Sequence, residues 1–118
     1  MDTELFWQVN KASDGNGATG EKHAPVVTVE GDQTPGSVVK VTVDVGEGKH
    51  PNENGHHIQF LVLRGNGMYL NRAELCPVTT EPIVTFSVVV PQGGITLSAM
   101  SRCNLHGLWE SEEVNVGK

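Results

Sequence analysis

The sequence predicts an all-β protein, an immunoglobulin-like antiparallel β-sandwich of about seven strands. Three observations carry that expectation. Apolar and polar residues alternate with a period of two over successive segments from residue 26 to residue 101. Fourteen glycines and six prolines fall largely between those segments, where they read as turns. No stretch carries a sustained helical period.

Along the chain, "TELFWQV" (3–9) predicts a short N-terminal helical turn that Asp2 or Thr3 can cap. "KASDGNGATGEK" (11–22) reads as a glycine-rich loop. Strands are then expected at "VVTVEG" (26–31), "SVVKVTVDV" (37–45), "HHIQFLVL" (56–63), "GMYLNRAEL" (67–75), "PIVTFSVVV" (82–90) and "GITLSAMS" (94–101). In the second of these, Val39, Val41, Val43 and Val45 alternate with Lys40, Thr42 and Asp44, which makes one dry face and one wet face. At 118 residues the chain is one domain, with an N-terminal segment and loop over 1–20 and the sandwich over 21–118.

Eight basic and fourteen acidic residues give a net charge of −6, with no Lys/Arg cluster, which argues against a nucleic-acid partner. No apolar run approaches the ~18 residues of a membrane span. The N-terminal residues lack a basic stretch followed by an apolar one, so a signal peptide is not expected. A cytoplasmic location with free thiols follows, and Cys76 reads as a small buried hydrophobe.

The five histidines lie at loops and strand ends: His23 in "GEKHAP", His50, His56 and His57 in "KHPNENGHHI", and His106 three residues after Cys103. Loops from distant parts of a sandwich meet at its ends, so these side chains can converge. One thiolate with at least four imidazoles exceeds the four ligands of tetrahedral zinc. Five ligands on a six-coordinate ion leave one vacancy, and iron with an open position fits better. Blue-copper centres use two His, one Cys and a weak axial Met. No Met follows His106, and Met100 is expected in the core, so copper remains the alternative, as an electron carrier without a substrate.

The segments "EKHAP" (21–25), "HPNENGHHI" (50–58) and "CNLHGLW" (103–109) together resemble the superoxide reductases, the neelaredoxin/desulfoferrodoxin family. That resemblance implies one mononuclear iron with His23, His50, His56 and His106 as equatorial ligands and Cys103 as the axial thiolate. The family's six-residue offset after His50 selects His56 rather than His57. By the same resemblance Glu21 is the carboxylate that caps oxidised iron, and Lys22 is the cation beside the vacancy that receives superoxide. Asn104 and the backbone near Leu105 are expected to hydrogen-bond the sulfur, Trp109 to pack, and Gly107 to form a tight turn. Lys49 and Arg102 flank ligands and read equally as part of the local field or as ordinary solvated charges. Longer members of the family carry a rubredoxin-like module. With cysteines at 76 and 103 alone, this chain resembles the one-iron form, which implies an outside electron donor, a rubredoxin, and a homo-oligomer, a tetramer by resemblance.

Overall fold

The computed structural model describes residues 8–11, 14, 18–46 and 48–118. They form a short helix, α1 (Ala18–His23), and nine strands: β1 (Val9–Lys11), β2 (Pro25–Glu30), β3 (Val38–Val45), β4 (Ile58–Gly65), β5 (Met68–Glu74), β6 (Ile83–Val89), β7 (Ile95–Cys103), β8 (Gly107–Glu110) and β9 (Val114–Val116). The larger sheet runs β1-β8-β7-β4-β5, with β9 also on β7, and the smaller runs β2-β3-β6. All pairings are antiparallel except β1 on β8. The all-β, two-sheet architecture is the expected one.

The alternation in β3 is realised directly. Val39, Val41, Val43 and Val45 are buried and meet Leu61, Leu63, Leu97, Ala99 and Phe86 between the sheets. Lys40, Thr42 and Asp44 turn outward, where Thr42 and Thr85 hydroxyls pair at 2.9 Å. Burial of these branched side chains, at about 25 cal/mol per Å² of apolar surface, holds the layers together.

Several expectations need correction. The glycine-rich loop expected over 11–22 holds the last residue of β1, Lys11, and all but the last residue of α1. Glycine content hides that helix, which tertiary contacts fix: the Ser101 hydroxyl donates to the His23 carbonyl oxygen at 3.0 Å. Residues 3–7 of the expected N-terminal turn lie outside the described residues, and Val9 begins a strand. β1, β8 and β9 exceed the strands expected; each is three or four residues long, too short for a period to show. Cys76 is exposed rather than buried, because it follows the edge strand β5 into a surface turn. Met100 lies on the outer face of β7, with its sulfur 3.7 Å from Arg64 Nη1. Among the described residues no helix is long and apolar enough to cross a membrane.

Strand ends position the site. β7 ends at Cys103, which pairs with Ile58 at the start of β4. Pro25, at the start of β2, pairs with Val45 at the end of β3. The chain segments leaving these four points therefore meet at one end of the sandwich.

Candidate metal centre

His23 closes α1, His50 follows β3 in a loop, His56 stands just before β4, and His106 sits in the turn between β7 and β8. Their rings form a closed quadrilateral. Successive centroids are 4.5 Å (His23–His50), 4.7 Å (His50–His56), 5.1 Å (His56–His106) and 4.6 Å (His106–His23) apart. Neighbouring planes are steeply inclined, by 82°, 76°, 61° and 75° in the same order.

The fully buried Cys103 lies beside this quadrilateral, with Sγ 3.7 Å from His106 Nδ1. Ligand atoms of His23, His56, Cys103 and His106 all fall within 4.8 Å of one another. Backbone amides of Leu105 and His106 donate to the sulfur and favour the thiolate, but burial is the larger influence and pushes the thiol up from its ordinary value. A buried thiol of this kind ionises when a cation arrives next to it.

Burial also pushes His50 down to about 3, helped by His23, His56 and His106 and opposed by the Pro51 carbonyl. Burial lowers His56 too, with His106, His57 and Lys22 adding to the effect and Glu53 opposing it. Neutral imidazoles are the form that binds metal. His50 Nδ1 bonds to the Pro51 carbonyl oxygen at 2.6 Å, so it carries the proton and Nε2 keeps its lone pair. The Nε2 atoms of His50 and His56 are buried without a hydrogen-bond partner. Such orphaned acceptors are costly unless something else occupies them.

The donor set fits an ion. With metal–nitrogen bonds of roughly 2.1 Å, two nitrogens at a right angle lie about 3.0 Å apart, against about 3.4 Å at a tetrahedral angle. His23 Nε2 and His106 Nδ1 are 3.0 Å apart, hydrogen-bonded to each other and at a spacing that matches the right-angle value. Four imidazoles and one thiolate exceed a closed zinc site and suit a mid-row transition ion.

A family model for desulfoferrodoxin matches residues 16–112. The chain belongs to the desulfoferrodoxin family. It is 38% identical over 112 residues to the superoxide reductase of Pyrococcus furiosus, covering 79% of this chain and 87% of that protein. It is 30% identical over 112 residues to the neelaredoxin of Megalodesulfovibrio gigas, covering 79% and 85%. Among solved structures, superoxide reductase (neelaredoxin) from Ignicoccus hospitalis superposes with a TM-score of 0.78 at 30% identity, covering 98% of this chain and 97% of that one. Membership of the desulfoferrodoxin family implies iron, and the four-imidazole, one-thiol cluster is a donor set that fits it.

The residues singled out in this desulfoferrodoxin-family sequence fall into place unevenly. Ligand atoms of His23, His56, His106 and Cys103 cluster, and His50 adjoins them through its ring contacts with His23 and His56. Lys22 is exposed on α1, and its charge reaches His56. Glu21 belongs to the same helical turn. His57 is half-buried, with Nδ1 unpartnered. The Asn104 side chain does not go to the sulfur: it accepts from the His57 amide at 2.9 Å and donates to the Gly55 carbonyl at 3.0 Å, tying the two ligand loops together. Lys49 lines a separate cavity with Asp44 and Glu81, and that cavity holds no histidine. Arg102, one residue from Cys103 on a strand, projects from the opposite face of β7. Gly107 makes the tight turn with φ of 81°, a left-handed value that favours glycine.

Trp109 does more than pack. Its ring stacks on His23, with centroids 5.3 Å apart and planes inclined by 27°, and Nε1 donates to the His106 carbonyl at 3.1 Å. Ser101 was not singled out from the sequence, yet it holds the other side of His23 through the carbonyl bond given above. A serine inside a strand carries no local signal of that duty. A cavity of ≈ 660 Å³ beside β2 has no histidine in its lining. A diatomic substrate needs no such volume.

Proposed function

We propose that this chain is a superoxide reductase, taking up one electron and two protons to convert superoxide to hydrogen peroxide at one iron per chain. His23, His50, His56 and His106 are the proposed nitrogen ligands and Cys103 the thiolate. The observation that carries this reading is the closed quadrilateral of imidazoles beside a buried thiol. Iron bound there supplies the single electron; everything else falls to the chain. The Leu105 and His106 amides hold the sulfur's negative charge. Trp109 and Ser101 hold His23, and Asn104 fixes the spacing between the two ligand loops.

Lys22 draws the superoxide anion toward His56 against the acidic charge of the whole chain, and water ordered at its Nζ delivers protons. Replacing Lys22 with alanine is expected to slow the bimolecular step about tenfold and flatten its dependence on ionic strength. Pulse radiolysis over a salt series measures both; an unchanged salt response removes the steering role. Glu21 is the proposed carboxylate for the oxidised ion. Glu21→Ala should therefore shift the ferric visible spectrum while leaving the reduction step largely intact, and an unshifted spectrum excludes Glu21 as a ligand.

The chain works as a single domain, with residues 21–118 carrying every proposed site residue and 1–20 serving as an N-terminal segment. A small electron-carrier protein, a rubredoxin, returns iron to the ferrous state, and a homo-oligomer, a tetramer, in the cytoplasm is the proposed working form. Relatives named superoxide reductase at 38–41% identity support the reaction. The copper alternative loses its axial ligand, since Met100 lies on the outer face of β7. Product counting decides the reaction. A reductase yields one hydrogen peroxide per superoxide and no oxygen, whereas dismutation would halve the peroxide and release oxygen.

A further inference from the structure

We propose that Asn52 is a positioning residue for His50 and His56, working as a staple between their loop and the turn at residues 76–80, which carries no ligand. The proposal rests on the metal-centre reading above and adds a residue and a loop to it.

Asn52 lies two residues after His50 and four before His56. Its carboxamide spends its bonds on the other loop: Oδ1 accepts from the Val78 amide at 2.9 Å, and Nδ2 donates to the carbonyls of Val78 and Thr80, each at 3.3 Å. A carboxamide offers the same donor–acceptor pair as a peptide group, so it meets Val78 as a neighbouring strand would. The receiving turn is closed on itself. Thr80 N donates to the Cys76 carbonyl at 3.0 Å, Thr79 N to that of Pro77 at 2.8 Å, and Cys76 N to Thr80 Oγ1 at 3.2 Å.

Val78 adds a second, independent observation. Its φ is 69°, a left-handed conformation that β-branched side chains resist. Its amide and carbonyl are presented to Asn52 in that conformation, and such strain persists only where surrounding bonds over-determine it.

The staple bears on the rings through the backbone that carries them. The Nε2 atoms of His50 and His56 have no hydrogen-bond partner, so the backbone beneath them sets their position. His50 leans on the Pro51 carbonyl, the peptide that leads directly into Asn52. On the other side, Glu53 and His56 exchange backbone bonds of 2.9 and 3.1 Å. Asn52 is therefore the pivot between the two histidines. Asn104 secures the far end of the same loop at Gly55 and His57.

The test uses iron-loaded protein. Asn52→Ala should release ferrous iron to an excess of chelator five- to tenfold faster than wild type and broaden the ferric electron paramagnetic resonance signal. Asn52→Asp keeps the bond from the Val78 amide but loses both donors, so it should fall between the two. If Asn52→Ala does not accumulate as folded protein, Asn52→Asp decides on the same readouts. Lower melting temperature with wild-type release and an unbroadened signal, in whichever variant folds, overturns the positioning role. Wild-type protein that holds no iron would instead overturn the metal centre, and the staple's purpose with it.

Discussion

Cys103→Ser is expected to abolish superoxide reduction, by about a hundredfold or more, while leaving the fold in place. Serine matches the cysteine in shape, and the amides of Leu105 and His106 that now serve the sulfur can donate to its oxygen. A serine hydroxyl, however, does not ionise near neutrality. The thiolate-to-iron charge-transfer band of the oxidised protein should vanish with it. Proton release offers a separate readout. Burial keeps the metal-free thiol protonated at neutral pH, so a cation must expel its proton, and binding tightens as pH rises toward the thiol's value. His50, pushed down to about 3, is already neutral and contributes no proton. Titrating metal binding against pH should thus give a slope shallower by about one proton in Cys103→Ser. An equal slope would mean that sulfur is not the ligand.

Trp109→Ala should be the most destabilising single change near the centre. Deleting a fully buried indole costs about 3–5 kcal/mol in lost transfer energy and unfilled space. The same change removes the ring stacked on His23 and the bond to the His106 carbonyl, so two of the four imidazoles lose a support at once. Trp109→Phe retains the stack and drops the bond, at about 1 kcal/mol. Urea melts give the stabilities, and residual iron after dialysis against a chelator gives the grip on the metal. Stability lost with iron retention unchanged in Trp109→Ala would confine the residue to packing.

The valines of β3 and the histidines at loop junctions were legible because each carries its signal locally: a period of two in one case, chemistry at a turn in the other. Three motif segments sufficed to point at the residues that cluster at one end of the sandwich. What escaped the sequence depends on distant partners. α1 is six residues with a glycine inside, held through Ser101 on β7. β8 and β9 are strands because β7 offers them an edge, and no window of four residues can say so. Asn52 and Asn104 look like ordinary loop asparagines until their carboxamides are seen bridging segments 26 and 47 residues apart. Cys76 failed for the complementary reason. Cysteine's general tendency to be buried says nothing about a turn beside an edge strand.

His23 and His106 meet at 3.0 Å although 83 residues of chain separate them. An ion gripping both is a cross-link across most of the polypeptide. Cross-links over loops of that length restrict the denatured chain by an amount on the order of 4 kcal/mol. On this view the centre governs survival of the protein as well as its turnover. If iron is held as proposed, its loss narrows the margin of the folded state, so demetallated molecules would open more often and be degraded ahead of loaded ones. The cellular lifetime of the chain would then be a gauge of iron supply.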